Sequence, residues 1–213
     1  MAALHRRTQI LISLAALGAV GMFLGPDGWL GIDIGPIGAA VLYAAIWLFV
    51  VHLSRSPDGI FPEQASPAER QGWVALAFNV LIACHFLNFI AALPALGGAA
   101  DYLSNPASRR FGINLGMLLF AWMVVGGILR AQHGQGIEAD ERDLRVQHVA
   151  QRTAGGLMSA LIIGLVALLA IFPEQAQQWM RPLIVGNLLL GLLIARTLTE
   201  SICLIARYSR ERR

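Results

Sequence analysis

Six long apolar runs, at about 8–24, 36–53, 72–96, 111–129, 153–172 and 180–203, limit what this chain can fold into. A helix rises 1.5 Å per residue, so about 20 apolar residues carry it across a hydrocarbon core of about 30 Å. Lipid offers no hydrogen bonds, and a helix satisfies its own N–H and C=O groups along its length. The charged fraction agrees: 14% of the 213 residues are Asp, Glu, Lys or Arg, against about 25% in an ordinary soluble domain. The runs therefore predict an all-α, polytopic transmembrane helix bundle, with residues 1–213 forming one integral membrane domain of six spans. The first run is short enough to thin the bilayer locally or to sit close against the second. Pro94 should break or kink the third near its end.

The positive charges orient the bundle. All 16 basic residues are arginine. Twelve of them fall in the N-terminus, the 54–71 loop, the 130–152 segment and the tail after Ala206, whereas the three alternate connections hold only Arg109, Arg110 and Arg181. Arg196 is left over, inside the last run. Cytoplasmic loops carry the excess of basic residues, which predicts cytoplasmic N and C termini in a bacterial inner membrane. A net charge of +3, dispersed around the apolar runs, suits membrane lipid and argues against nucleic acid. Although His5, Arg6 and Arg7 precede the first run, that run is slightly long for a cleaved leader and reads as a retained span. Cys84 and Cys203 lack metal or redox spacing, and no disulfide framework is expected.

Small residues mark expected helix contacts: Gly156, Ala160 and Gly164 in the fifth span, and Gly112 and Gly116 in the fourth. Such ridges let backbones approach where lipid supplies no hydrophobic drive for association.

The stretch from Glu138 to Arg152 is the most informative polar segment. Glu138 with Arg142, and Glu141 with Arg145, are i,i+4 pairs in the favourable order, acid before base. Acids gather at the start, as the helix dipole prefers, and no proline or glycine intervenes before Gly155. One helix should rise in the cytoplasm and run on into the fifth span. Three roles compete for it. It could be a solvated, salt-bridged helix that sets topology. It could dock a second copy or another protein through Glu138, Asp140, Glu141, Arg142, Asp143, Arg145, His148 and Arg152. It could hold a metal or catalytic site on Asp140, Asp143 and His148, with His133 nearby, but His148 lies five residues past Asp143 and points elsewhere.

The Asp140-Glu141-Arg142-Asp143 element, the Arg152-Thr153-Ala154 lead into an apolar span and the closing Arg207-Tyr208-Ser209-Arg210 resemble a family of small uncharacterised prokaryotic integral membrane proteins. The resemblance covers roughly residues 111 to 213. It implies a cytoplasmic Asp-Glu-Arg-Asp motif before the last two spans and no assigned activity. Members usually have four spans, so the leading spans here depart from that layout.

Polar groups inside the spans define the rival class, a small solute or ion transporter. Its pathway would be lined by Asn79, His85, Asn88, Asn114, Arg196 and Glu200. At 100° per residue Asn79 faces away from Asn88, while Cys84, His85 and Asn88 share an arc. Interhelical hydrogen bonding is the plainer account of the amides. Arg196, Thr199, Glu200, Cys203 and Arg207 form one stripe of the last helix. A span starting near Gln178 brings Arg196 to the inner interface, where it snorkels. A start near Pro182 keeps the Arg196–Glu200 pair inside the bundle. His52 and His85 sit at different depths, which disfavours a haem between them. No phosphate loop, nucleophile elbow, zinc-protease motif or paired-cysteine site occurs. The expectation is a non-enzymatic protein without cofactor that works through interaction.

Overall fold

The protein is described by a computed structural model covering residues 2–23, 34–55, 66–92, 105–132, 141–172, 174 and 182–211. Those residues form six helices and no strand: α1 Ala2–Phe23, α2 Ile34–Arg55, α3 Pro67–Ala92, α4 Pro106–Gln132, α5 Glu141–Ile171 and α6 Pro182–Glu211. Each coincides with one of the six apolar runs. Five, α2 to α6, are long and apolar enough to cross a membrane, as in a multi-pass membrane protein; α1 holds a shorter apolar stretch, Gln9–Met22. The break expected at Pro94 lies outside the described residues.

Several helices begin before their apolar run, and local chemistry explains where. In α3, Ser66 precedes Pro67, whose missing N–H costs nothing at the first helical position. The Glu69 N–H donates to Ser66 Oγ at 3.2 Å, and the Arg70 N–H donates to the Ser66 carbonyl at 3.0 Å. Serine followed three residues later by glutamate is a capping box. Glu69 also accepts from Trp73 Nε1 at 3.3 Å, one turn on. Helices α4 and α6 likewise open on proline, at Pro106 and Pro182.

Two compact units divide the chain: Met1–Val74 with Arg109–Ile137, and Ala75–Ser108 with Glu138–Arg213. In the first, α1 and α2 pack at backbone contact. A Cβ built on Gly38 would lie 2.7 Å from Gly21 Cα, and one on Gly18 would lie 2.8 Å from Leu42 Cα. No real Cβ tolerates such distances against backbone, so glycine is required at both points. Ala19, Met22, Leu42 and Ala45 fill the remaining contact and are buried. On α4 the buried positions Phe111, Asn114, Leu118, Val125 and Leu129 follow helical spacing along one face, and Tyr43 of α2 donates its hydroxyl to the Asn114 carbonyl at 3.0 Å.

This corrects the small-residue expectation. Gly112 and Gly116, and Gly156, Ala160 and Gly164, lie on exposed faces, and a Cβ on any of these glycines would meet nothing within 4 Å. The close approach is made by Gly18, Gly21 and Gly38 instead. Four-residue spacing puts small side chains on one face, but a close crossing also needs a matching gap on the facing helix. Gly18 and Gly21 find theirs opposite Gly38.

In the second unit α5 and α6 pack together. Gly191 of α6 sits against the Phe86 ring of α3, where a Cβ would come within 3.1 Å. Beyond Ala154 the α5 surface is almost wholly apolar and open: Ile163, Val166 and Ile171 are exposed, and only 6% of the most apolar window of α5 is buried. An open apolar surface of that extent suits lipid as its solvent.

Candidate functional site

The polar half of α5 is where charge and order meet. Its first turn carries Glu141, Arg142 and Asp143. The expectation of one unbroken helix from the charged segment into the apolar run agrees with α5, which spans 31 residues without interruption. Glu138 and Asp140, and with them the Glu138–Arg142 pairing, lie outside the described residues, as does His133.

One face of this segment is committed to α6. Asp143, Val146, Ala150 and Ala154 are buried, the last two completely, and their 3-4-4 spacing traces a single stripe. On α6, Ser201, Ile205 and Tyr208 are buried at the same kind of spacing. The Tyr208 hydroxyl donates to Asp143 Oδ1 at 2.7 Å, with Tyr208 only 2% and Asp143 7% exposed. Arg142 Nε donates to Glu211 Oε2 at 2.6 Å in a half-exposed ion pair. The start of α5 therefore meets the end of α6, and the two helices run antiparallel. Glu211, through that hydrogen bond, pushes the Arg142 pKa further up, so the guanidinium stays charged throughout the accessible range. A short hydroxyl–carboxyl bond in a buried seam is worth more than the solvated bridge beside it. Together they clasp the two helix ends.

The opposite face is open. Glu141, Leu144, Arg145, His148 and Arg152 are exposed and lie together on the arc of α5 turned away from the seam. Of the residues expected to form an interaction helix, Asp143 is turned inward, Arg142 is shared between clasp and solvent, and Glu141, Arg145, His148 and Arg152 face out. Asp143 and His148 thus part company. Among the described residues no group of three or more His, Cys, Asp or Glu gathers in a way that would hold a metal.

The residues expected to line a pathway fall in both units, each described by itself. Asn114 belongs to the first unit and is buried. In the second unit, Asn79 is buried and bridges α3 to α6, its Nδ2 donating to Ser201 Oγ at 2.9 Å and to the Thr197 carbonyl at 3.3 Å. His85 is buried, Asn88 is exposed on the same helix, Arg196 is exposed and Glu200 half-buried. Asn79 is a strut between helices, the arrangement expected where an amide must satisfy itself away from water.

Sequence reasoning missed the partners. Tyr208 and Glu211 complete the α5 clasp, and Thr197 and Ser201 complete the Asn79 strut. Signals existed for each: Tyr208 continues the Ser201, Ile205 spacing, and Thr197 and Ser201 are hydroxyls four apart in an apolar helix. No protein family, curated protein or solved structure matches the chain.

Proposed function

We propose that this chain is a non-enzymatic, six-span protein of the bacterial inner membrane, with both termini cytoplasmic, that acts by presenting the outer face of its 138–152 helix to another protein or to a second copy. One observation carries the reading. The inner face of that helix is fixed to α6 by the buried Asp143–Tyr208 bond, while Glu141, Leu144, Arg145, His148 and Arg152 face outward on a preformed helix. A helix held in place before binding loses little entropy on docking, and mixed charge around an exposed leucine suits a protein surface. The arginine distribution supports the orientation. A transport reading needs Asn79, Asn88 and Arg196 on one cavity, and it draws no support from an Asn79 bonded to Ser201 and an Asn88 that is exposed.

Photo-crosslinkers placed at Leu144 and His148 in living cells test the proposal. Adducts are expected from both positions, and they should vanish when Glu141, Arg145 and Arg152 are exchanged for unrelated polar residues. Bare monomer from both positions, or adducts indifferent to that exchange, would refute it.

A further inference from the structure

The Arg196–Glu200 stripe of α6 is accounted for by neither the clasp nor the strut. The buried attachments leave these side chains aside: Thr197 and Ser201 hold Asn79, and Tyr208 holds Asp143, while the half-exposed Glu211 bonds Arg142 at the end of the helix. At 100° per residue the stripe of Leu189, Leu193, Arg196, Glu200 and Cys203 is centred about 100° round from Thr197, Ser201 and Tyr208. Leu189, Leu193 and Arg196 are exposed, and Glu200 and Cys203 are half-buried.

The depth of this stripe makes its exposure a problem. Between Arg181 and Arg196 the uncharged run Pro182–Ala195 is about 21 Å long as a helix, short of a hydrocarbon core of about 30 Å. Arg196 and Glu200 therefore fall within or at the edge of the inner half of the core. The obvious remedy is an ion pair within the helix, and it is not made. Among the described residues neither Arg196 nor Glu200 forms an ion pair. Order explains this. Base before acid at i,i+4 runs against the favoured acid-before-base geometry, so both side chains remain available to an outside partner.

We propose that the occupant of this stripe is α6 of a second copy. Two copies inserted the same way are related by an axis along the membrane normal, which sets their α6 helices parallel. A two-fold interface must be self-complementary, with residue i meeting j and j meeting i. Across this parallel seam Arg196 and Glu200 each face their own counterpart, and each long arginine side chain reaches one helical turn along to Glu200 of the other copy, so the pairing is reciprocal. Leu189 and Leu193 pack above the paired charges, and Cys203 meets its counterpart one layer below, at the coiled-coil spacing of alternating three and four residues. Arg207 continues the stripe towards water, where its like-charged counterpart is screened. The seam goes beyond the α5 docking face and stands without it.

Cys203 is a built-in probe. In the full chain carrying C84S, left in native membranes, copper phenanthroline should link Cys203 to Cys203 and give a dimer that C203S abolishes. R196E and E200R should each lower the cross-linked fraction at least about tenfold, because two reciprocal pairs are lost together. The double exchange R196E/E200R re-forms both pairs reversed and should recover most of the dimer. If the single variants fail to accumulate, recovery of both accumulation and cross-linking in the double variant makes the same point. Exchange of Glu141 and Arg145 should leave the cross-link unchanged, which separates failure of the seam from failure of the α5 surface. No Cys203 dimer in membranes would overturn the proposal and leave Arg196 to lipid phosphates. A dimer indifferent to the charge exchanges would overturn it equally.

Discussion

Removing one oxygen from the clasp tests how the polar half of α5 is held. In Y208F the ring still fills its site, 2% exposed, but Asp143 loses the donor at 2.7 Å. Water cannot replace that donor without opening the seam, so the loss should cost about 1–3 kcal/mol. D143N alone should cost less, because its amide oxygen still accepts from Tyr208. If the two groups act on each other, the double variant D143N/Y208F should be less destabilised than the sum of the singles by more than about 0.5 kcal/mol, the usual scatter for independent sites. The neighbouring R142A and E211Q should move stability less than Y208F, and raising salt should shrink their effect further, since that pair is 50% and 39% exposed. Tryptophan-monitored denaturation in one detergent, with protease sensitivity of the 141–152 segment as a second readout, measures all five variants alike. Strictly additive D143N and Y208F, or an R142A larger than Y208F, would refute the assignment of the buried bond as the principal fastener.

Three further outcomes follow from packing and topology. G38A should destabilise the α1–α2 pair by about 1–3 kcal/mol, because the added Cβ strikes backbone of α1 that cannot yield, whereas G116A and G164A should be close to neutral; steady-state abundance and melting compare them. N79L should cost up to about 2 kcal/mol per lost hydrogen bond to α6, with N88L near zero because that side chain is exposed; the reverse ranking would count against Asn79 as a strut. Reporter fusions after Gln132 and at the C terminus should report the cytoplasm, and fusions near Gly28 and Ala100 the opposite side; a cytoplasmic signal at Gly28 would remove α1 as a span.

Helix number and position were legible because they depend on composition over long windows, and water and lipid sort those windows without tertiary detail. Helix starts were less so. The apolar run places the third span at 72, yet α3 begins at Pro67, since the Ser66–Glu69 capping box extends the helix into polar sequence. Asp143 shows the other limit. As one of several charges near a helix start it reads as solvated, but it sits three residues before Val146 on the Val146, Ala150, Ala154 stripe, and that register takes it into the seam. Its partner lies 65 residues away, a pairing fixed only once the rotations of two helices are known. Glycine spacing misled for the same reason: it describes one helix, and a close crossing belongs to two.

The buried stripe of α5 ends at Ala154 and the open apolar surface begins beyond it, and that division follows from a change of solvent along one helix. In water, burying Val146, Ala150 and Ala154 against α6 is favoured by the hydrophobic effect, and the Asp143–Tyr208 bond selects the register. Further along, lipid is as apolar as leucine, so the same kind of side chain gains little from a neighbour, and helices there are held by backbone approach or by polar bonds. The chain uses both devices: glycine contact between α1 and α2, and the Asn79 strut between α3 and α6. Each polar group of the described spans can therefore be asked which helix it holds. Arg196 and Glu200 form no ion pair among the described residues, and the proposed α6–α6 seam is the answer that gives each a partner in a second copy.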